Sequence, residues 1–307
     1  MTWHPGPAMM GGVRVLSLLP SATEIACLLG LESSLVGVTH ECDWPPAVRG
    51  KRRVTRSLLP KDAKPSEVDK LVSTAASGGA PTSWLDREAI AELRPDVVLT
   101  QDLCAVCAVP RGHLDAALGS LGLQAEVVSL DPSSIADVLA GIEAVGRATG
   151  TEVLAKELVS ALAERLEAVG RRVAGEGRPR ALALEWGDPP YSAGHWVPEM
   201  VERAGGEALL GQPGAYSRRL AWGEVAGAGP EVVVFMPCGY HLEAAWAEGR
   251  ELAVRPELAG AGRFFAADSG GYFSRPGPRL VDGVEALAEA LHGSGEVPGV
   301  LARLRRG

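Results

Sequence analysis

Cysteine, histidine and carboxylate side chains are where this sequence could do chemistry, and they fall in a few short stretches. Residues 100–110, "TQDLCAVCAVP", set Cys104 and Cys107 three apart, with Asp102 just ahead of them. Such a pair can ligate a metal, cycle between dithiol and disulfide, or provide two small, weakly polar side chains beside a bulky ligand. A structural zinc site needs two Cys pairs, or a Cys pair with a His pair. Here Cys42, Cys238, His40 and His195 are the distant partners on offer. A redox pair belongs at a helix N-terminus, where the dipole lowers a thiol pKa, and the helix that follows is expected to begin nearer Pro110. The three readings stay open. Cys27, among apolar residues, is expected to be plain core.

The recognised catalytic signatures are missing. There is no G-x-S-x-G elbow, no phosphate-cradling G-x-x-x-x-G-K, no G-x-G-x-x-G after the first apolar run and no H-E-x-x-H. Asp43, Asp102, His195 and Cys107 leave corrinoid or thiol chemistry as the enzymatic alternative, and a cytosolic metal-binding protein as another.

Positioning these residues takes regular elements, and the pattern for them is plain. "VRVLSLLP" reads as a short apolar strand, followed by a helix in "SATEIACLLGL" with Ser21 and Glu24 spaced as a capping box and Gly30 as its stop. "LVGVT", "PDVVLTQ" and "AEVVSL" read as further strands, with a helix in "VPRGHLDAALGSLG" between the last two. Unbroken Val/Leu strands alternating with helices predict an α/β fold with a parallel sheet covered on both faces. Residues 133–177 carry no strand; they hold two amphipathic helices, the longer with Leu158, Leu162, Leu166 and Val169 on one stripe. The strand–helix pattern then restarts at "RALALEW", continuing through "VPEMVERAGG", "PEVVVFMP" and "RFFAAD". "RPDVVLTQDLC" and "GPEVVVFMPC" echo each other: Pro, acid, three aliphatics, then a Cys. The expected organisation is an α/β lobe over 1–132, a helical connector over 133–177 and a second α/β lobe over 178–307.

In open parallel sheets, ligands bind beyond the carboxyl ends of the strands. The strand ends here carry Ser21 and Ala22; His40, Cys42, Asp43 and Trp44; Asp102, Cys104 and Cys107; Trp186, Tyr191, His195 and Trp196; Cys238, Tyr240 and His241; and Tyr272, Phe273 and Arg275. That clustering raises a binding site above the alternatives of seam-covering tryptophans and hydrogen-bonded histidines.

Composition narrows the class of partner. The 307 residues are 46% hydrophobic and 22% charged, as in a folded globular protein. Seven tryptophans against four tyrosines and four phenylalanines are an excess that suits a ligand pocket. A net charge of −8 argues against a nucleic-acid partner, and the basic run "RGKRR" reads as a solvated loop. No apolar stretch is long enough to span a bilayer. The opening residues lack a cationic segment followed by an apolar one, and five cysteines form no disulfide framework. The expected home is the cytoplasm, or the periplasm or cell exterior if the true start lies upstream.

"RVLSLLPSATEIACLLGLESSLVGVTHECDWP", "LDREAIAELRPDVVLTQ", "DPPYSAGHW" and "YFSRPGPR" together resemble the class III periplasmic binding proteins, in particular the cobalamin-binding type. The resemblance runs from about Val13 to His292. It implies two Rossmann-like lobes joined by a long rigid helix, with a corrinoid-like or metal-chelate ligand held in the cleft between them and no required cofactor. It also implies an ABC transporter permease as partner, and no catalysis. By position, Ser21, Ala22, Asp43, Trp44 and Trp84 would meet the ligand from one wall, and Tyr191, Tyr272, Phe273 and Arg275 from the other. His40, Asp102, Cys104, His195, Trp196 and Tyr240 are expected to join them. A metal role for Cys104, Cys107, Cys42 and Cys238 stands outside the family's pattern. Of the two acidic docking positions, Glu88 fills the first; the second falls on Gly223, with Glu224 beside it.

Overall fold

The computed structural model describes residues 12–60, 67, 70, 71, 74, 82–101, 114, 118–293 and 295–304. Asp102, Cys104 and Cys107, and most of the helix expected around residue 115, lie outside the described residues. The chain divides into two compact units, the first of Met1–Asp131 and Asp137–Val159, the second of Pro132–Ala136 and Ser160–Gly307.

In the first unit the strands are β1 (Val15–Ser17), β2 (Leu35–Gly37), β3 (Thr55–Ser57), β4 (Ser83–Leu85), β5 (Val97–Thr100) and β6 (Glu126–Ser129). Its helices are α1 (Pro20–Leu28), α2 (Arg87–Leu93) and α3 (Ile135–Thr149). Four strands make a parallel sheet in the order β2-β1-β5-β6, while β3 and β4 form a separate antiparallel ribbon. Every residue of β1 and β5 is buried, as a sheet covered on both faces requires. Leu16, Leu18 and Val98 pack with Val54, Ala89 and Ile90 in this unit's core.

The start of α1 differs from the capping box expected. Leu19 is the N-cap, without a side-chain cap bond, and Pro20 opens the helix. A proline at the first helical position has its φ preset and no N–H to satisfy. It starts the helix one residue early and draws Ser21 and Glu24 inside, both about 1% exposed.

After α4 (Glu152–Val173), whose residues from Ser160 belong to it, the second unit has strands β7 (Arg180–Gly187), β8 (Pro190–Ser192), β9 (Glu207–Ala208), β10 (Val232–Phe235), β11 (Arg263–Ala267) and β12 (Leu301–Arg303). The helices are α5 (Val197–Arg203), α6 (Trp222–Ala228), α7 (Leu242–Ala253), α8 (Ser269–Tyr272) and α9 (Leu280–His292). The sheet order is β12-β11-β10-β7-β8, with β9 also parallel to β7. The series β9-β7-β10-β11 therefore repeats the first unit's β2-β1-β5-β6. This sheet is not wholly parallel, because β8 and β12 pair antiparallel with β7 and β11. Leu158, Leu162, Leu166 and Val169 of α4 are all buried, as the stripe requires.

The sequence echo has a structural cause. In the first unit the Arg14 N–H donates to Asp96 Oδ2 (2.8 Å) and the Asp96 N–H donates back to the Arg14 carbonyl (2.9 Å). In the second, the Arg180 N–H donates to Glu231 Oε2 (2.7 Å) and the Glu231 N–H to the Arg180 carbonyl (2.9 Å). Each arginine also caps the helix just ahead of the Pro-acid pair, Arg14 at the Leu93 carbonyl (2.9 Å) and Arg180 at the Ala228 carbonyl (2.8 Å). Those helices, α2 and α6, both end on a left-handed residue, Arg94 at φ 38° and Gly229 at φ 55°. The Pro-acid pair thus fixes where the central strand of each unit begins.

Candidate functional site

At the carboxyl edge of the first sheet, hydroxyls and one thiol hold the loops together. Thr23 Oγ1 donates to Ser17 Oγ (2.8 Å), and Cys42 Sγ lies 3.1 Å from Thr23 Oγ1 and 3.2 Å from Thr39 Oγ1. Arg53 Nη1 donates to the carbonyls of Thr39 and Cys42 at 2.5 and 2.6 Å. Cys42 is fully buried, and that burial pushes its thiol pKa up. It is a packed thiol hydrogen-bonded between two hydroxyls, and Cys104 and Cys107, with which a metal role was expected, lie outside the described residues. His40 is tied at both ring nitrogens, Nδ1 to Thr55 Oγ1 (2.7 Å) and Nε2 to Glu41 Oε1 (3.2 Å). Ser21 and Ala22, expected against a ligand, are buried in α1 and present no surface to one. Asp43 and Trp44 are half-buried. Trp84 is 41% exposed on β4, with the Arg56 guanidinium 4.4 Å above its ring.

The second sheet's carboxyl edge is richer. The end of β7 and the loops after β10 and β11, three neighbouring parallel strands, bring Trp186, Tyr240 and Asp268 to it. Trp186 pairs across the β7–β8 ladder with Tyr191 and meets Tyr240 edge-on at 5.8 Å. Burial, then the Glu248 carboxylate, raises the Tyr240 pKa, so the phenol stays neutral. Cys238 is exposed on the same turn as Tyr240. His241 follows, its Nδ1 against both oxygens of Asp268 (3.1 and 3.2 Å).

Beyond β8 a tight loop seats His195. Its φ of 54° is strained for a non-glycine residue, and such strain concentrates at functional positions. The ring stacks on Trp196 at 5.6 Å and meets Tyr216 edge-on at 5.0 Å. Half-burial lowers its pKa, which favours neutral imidazole. Ser217, in the loop that carries Tyr216, donates to Glu185 Oε2. Trp196 is 5% exposed, its Nε1–H donating to the Phe273 carbonyl at 2.7 Å, and Phe273 itself is fully buried. Both are therefore core residues that shape loops and not the ligand walls expected. Tyr272 is half-buried under Arg279, whose guanidinium lies 5.1 Å from its ring. It lines a cavity of about 580 Å³ with Arg165, Asp282 and Glu285. Arg275 is half-buried beside it in sequence.

The two carboxylates expected to dock on a partner differ in their surroundings. Glu88 is exposed in the first turn of α2. Glu224 caps α6: Oε2 accepts from the Ala221 N–H (2.8 Å) and Oε1 from Arg218 (3.0 Å), and these bonds lower its pKa, the backbone one first. Among the described residues no group of three His, Cys, Asp or Glu side chains could hold a bare metal ion. None of the described helices is long and apolar enough to cross a membrane.

This arrangement of two repeated α/β units, with side chains gathered at the strand ends, matches a family. The model of the periplasmic binding protein family covers residues 15–257. The chain belongs to that family. Among curated proteins it is 23% identical over 292 residues, 91% of this chain and 80% of the other, to an uncharacterized ABC transporter substrate-binding lipoprotein, YvrC, of Bacillus subtilis (strain 168). Solved structures share the fold. A periplasmic heme-binding protein from Pseudomonas aeruginosa gives a TM-score of 0.71 at 21% identity, over 96% of this chain and 99% of that one. The periplasmic vitamin B12 binding protein BtuF of Vibrio cholerae gives 0.65 at 22%, over 90% and 95%. A possible iron-binding periplasmic solute-binding protein from Staphylococcus epidermidis gives 0.68 at 20%, over 91% and 98%. The strand-end reading of the sequence listed His241 without carrying it into the ligand set, and it passed over Asp268 and Tyr216. The strand-end rule reaches Asp268, which directly follows β11; Tyr216 comes from a loop folded back against His195, which no local signal announces.

Proposed function

We propose that this chain is the ligand-binding component of an ABC-type uptake system, and that its ligand is a large, rigid metal chelate: a corrinoid or a comparable macrocycle. The observation that carries this reading is the edge of the second sheet, where Trp186 of β7 and Tyr240 and His241 after β10, with His195 and Tyr216 beside β8, stand at the place parallel sheets bind ligands. Aromatic side chains bury a flat ligand at low conformational cost, and preformed loops lower the ordering cost of binding. On the first unit, half-exposed Trp84 under Arg56 and half-buried Trp44 and Asp43 are the groups we assign to ligand contact. Heme and vitamin B12 are the ligands named for two structures of this fold, which supports the chelate class.

Delivery to a permease would use Glu88 on α2 directly, whereas Glu224 must share its carboxylate with the α6 cap. In this reading the chain works outside the cytoplasm, a setting supported by the lipoprotein named among its relatives. The test is titration with cobalamin, cobinamide and hemin, followed by tryptophan quenching and visible absorbance. Micromolar or tighter saturable binding of at least one is expected. Failure of all three to bind a folded preparation would refute the reading.

A further inference from the structure

Glu248 is half-buried on α7, yet among the described residues its carboxylate accepts no hydrogen bond and joins no ion pair. It lies against the turn from β7 to β8. A Cβ on Gly187 would come within 3.2 Å of Glu248 Oε1 and 2.7 Å of a Leu252 methyl, so the turn's backbone rests directly on α7. Trp186 precedes that turn, meets Tyr240 edge-on at 5.8 Å, and has its Nε1–H buried without a partner among the described residues. No polar bond pins the indole there; its place depends on how the turn packs.

The groups around Glu248 offer it no counter-charge among the described residues. Glu251 stands one turn on along α7, Asp188 is on the β7–β8 turn itself, and Tyr240 comes from the loop after β10. The strands β11 and β12, packed on α7, meet it with apolar residues such as Ala266 and, just past β12, Leu304. Of the charged side chains on those strands, Arg263 binds the Ala290 carbonyl (2.8 Å), Asp268 faces His241 (3.1 Å) and Arg303 is exposed. The other cations nearby are engaged, Arg250 over the Trp246 ring at 5.0 Å and Arg255 over the Trp222 ring at 4.0 Å. Burial, then Glu251 and Asp188, raise the Glu248 pKa from its ordinary 4.5.

A raised carboxyl pKa means that the folded chain binds the proton more tightly than the unfolded one. The stabilising share of the neutral group is full below the unfolded value near 4.5 and is lost as pH rises through the folded one. An ionised Glu248 is stabilised by water on both oxygens and by distance from Asp188, and the turn occupies that side. We propose that Glu248 is a proton-operated latch on the β7–β8 turn: neutral, it lets the turn rest on α7 and keeps Trp186 against Tyr240; ionised, it lifts the turn and frees the pair. The switch moves one proton between solvent and a carboxylate oxygen and makes no other bond. Its consequence for the ligand rests on the reading of the chain as a chelate binder. With Trp186 and Tyr240 in the binding edge, acid favours holding the ligand and neutral pH favours its release.

The decisive test uses the ligand-free chain, in a pH titration of tryptophan emission and of aromatic near-ultraviolet circular dichroism. A transition with its midpoint above pH 4.5 is expected, lost in Glu248→Gln and in Trp186→Phe, and moved to lower pH by Asp188→Asn. Circular dichroism at 222 nm confirms that each variant is folded. A curve that Glu248→Gln leaves unchanged, or a flat curve in the wild type, overturns the latch. Cyanocobalamin and dicyanocobinamide, which do not titrate in this range, then probe the binding edge. Their affinity should fall roughly fivefold or more between about pH 5 and about pH 8 in the wild type and stay level in Glu248→Gln. Level affinity in the wild type overturns the control of binding. Failure of both probes to bind at any pH counts against the corrinoid reading alone, because the ligand-free titration judges the latch without it.

Discussion

The bond from Trp196 Nε1–H to the Phe273 carbonyl joins two loops of the second unit, and replacing Trp196 with Phe isolates it. Phe273 is fully buried, and among the described residues its carbonyl accepts no other hydrogen bond. Trp196→Phe leaves that acceptor buried and unpaired, which costs about 1–3 kcal/mol. The smaller ring leaves a void that adds about 1 kcal/mol where the surroundings relax only in part. The expected loss is about 2–4 kcal/mol, on the order of 10 °C in the melting temperature of a unit this size. Circular dichroism at 222 nm during thermal and urea unfolding is the right readout, since the substitution also removes a fluorophore. Phe273→Leu serves as the comparison, because it keeps the backbone acceptor and the indole bond. If Trp196→Phe moves the urea midpoint by less than that control does, with an unchanged slope, the bond does not hold the loops and the reasoning fails.

Three further outcomes are expected. Asp96→Asn and Glu231→Gln should each cost about 1 kcal/mol by weakening the bond to the arginine amide, and the double variant should be additive because the sites share no partner; strong non-additivity in urea unfolding would contradict the two separate clasps. Burial pushes Cys42 up and Cys27 up to about 12, from an ordinary value near 9. The stabilising contribution of these neutral thiols is full below the unfolded thiol's pKa and fades as pH rises through the folded one, so stability should fall above about pH 9, and Cys27→Ala with Cys42→Ala should flatten that fall. Gly194→Ala would drive its Cβ into Ser217 N and to 2.6 Å from the Tyr216 backbone carbon, so it should release the loop over His195 and abolish the ring contacts; an unchanged aromatic near-ultraviolet spectrum would count against this.

How much of this was legible depends on range. The aliphatic runs "VRVLS", "PDVVLT" and "PEVVVF" became buried inner strands because a doubly covered sheet demands unbroken Val and Leu, and that pattern is local. The Pro-acid echo was visible too, but its arginine partners were not: Arg14 stands 82 residues from Asp96 and Arg180 stands 51 from Glu231. The capping box in "PSATE" misled, because Pro20 claimed the helix start. Strands of two or three residues, such as β8, β9 and β12, escaped notice, since their pairing is set by neighbours and not by their own residues. Strand-end counting found Tyr240 and His195 but took Phe273 and Trp196 for surface, because an aromatic at a strand end reads the same whether it faces a ligand or the core.

The helix α4 crosses from one unit to the other without interruption: its residues up to Val159 belong with the first, and those from Ser160 onward with the second. Its backbone ladder is continuous, yet the packing that protects each stretch comes from a different body. Amide exchange along this single helix should therefore fall into two classes, with the early turns opening at the rate of the first unit and the later turns at that of the second. A ligand gripping only one unit would slow exchange in one class and leave the other as it was, so the helix records which half of the molecule has been engaged.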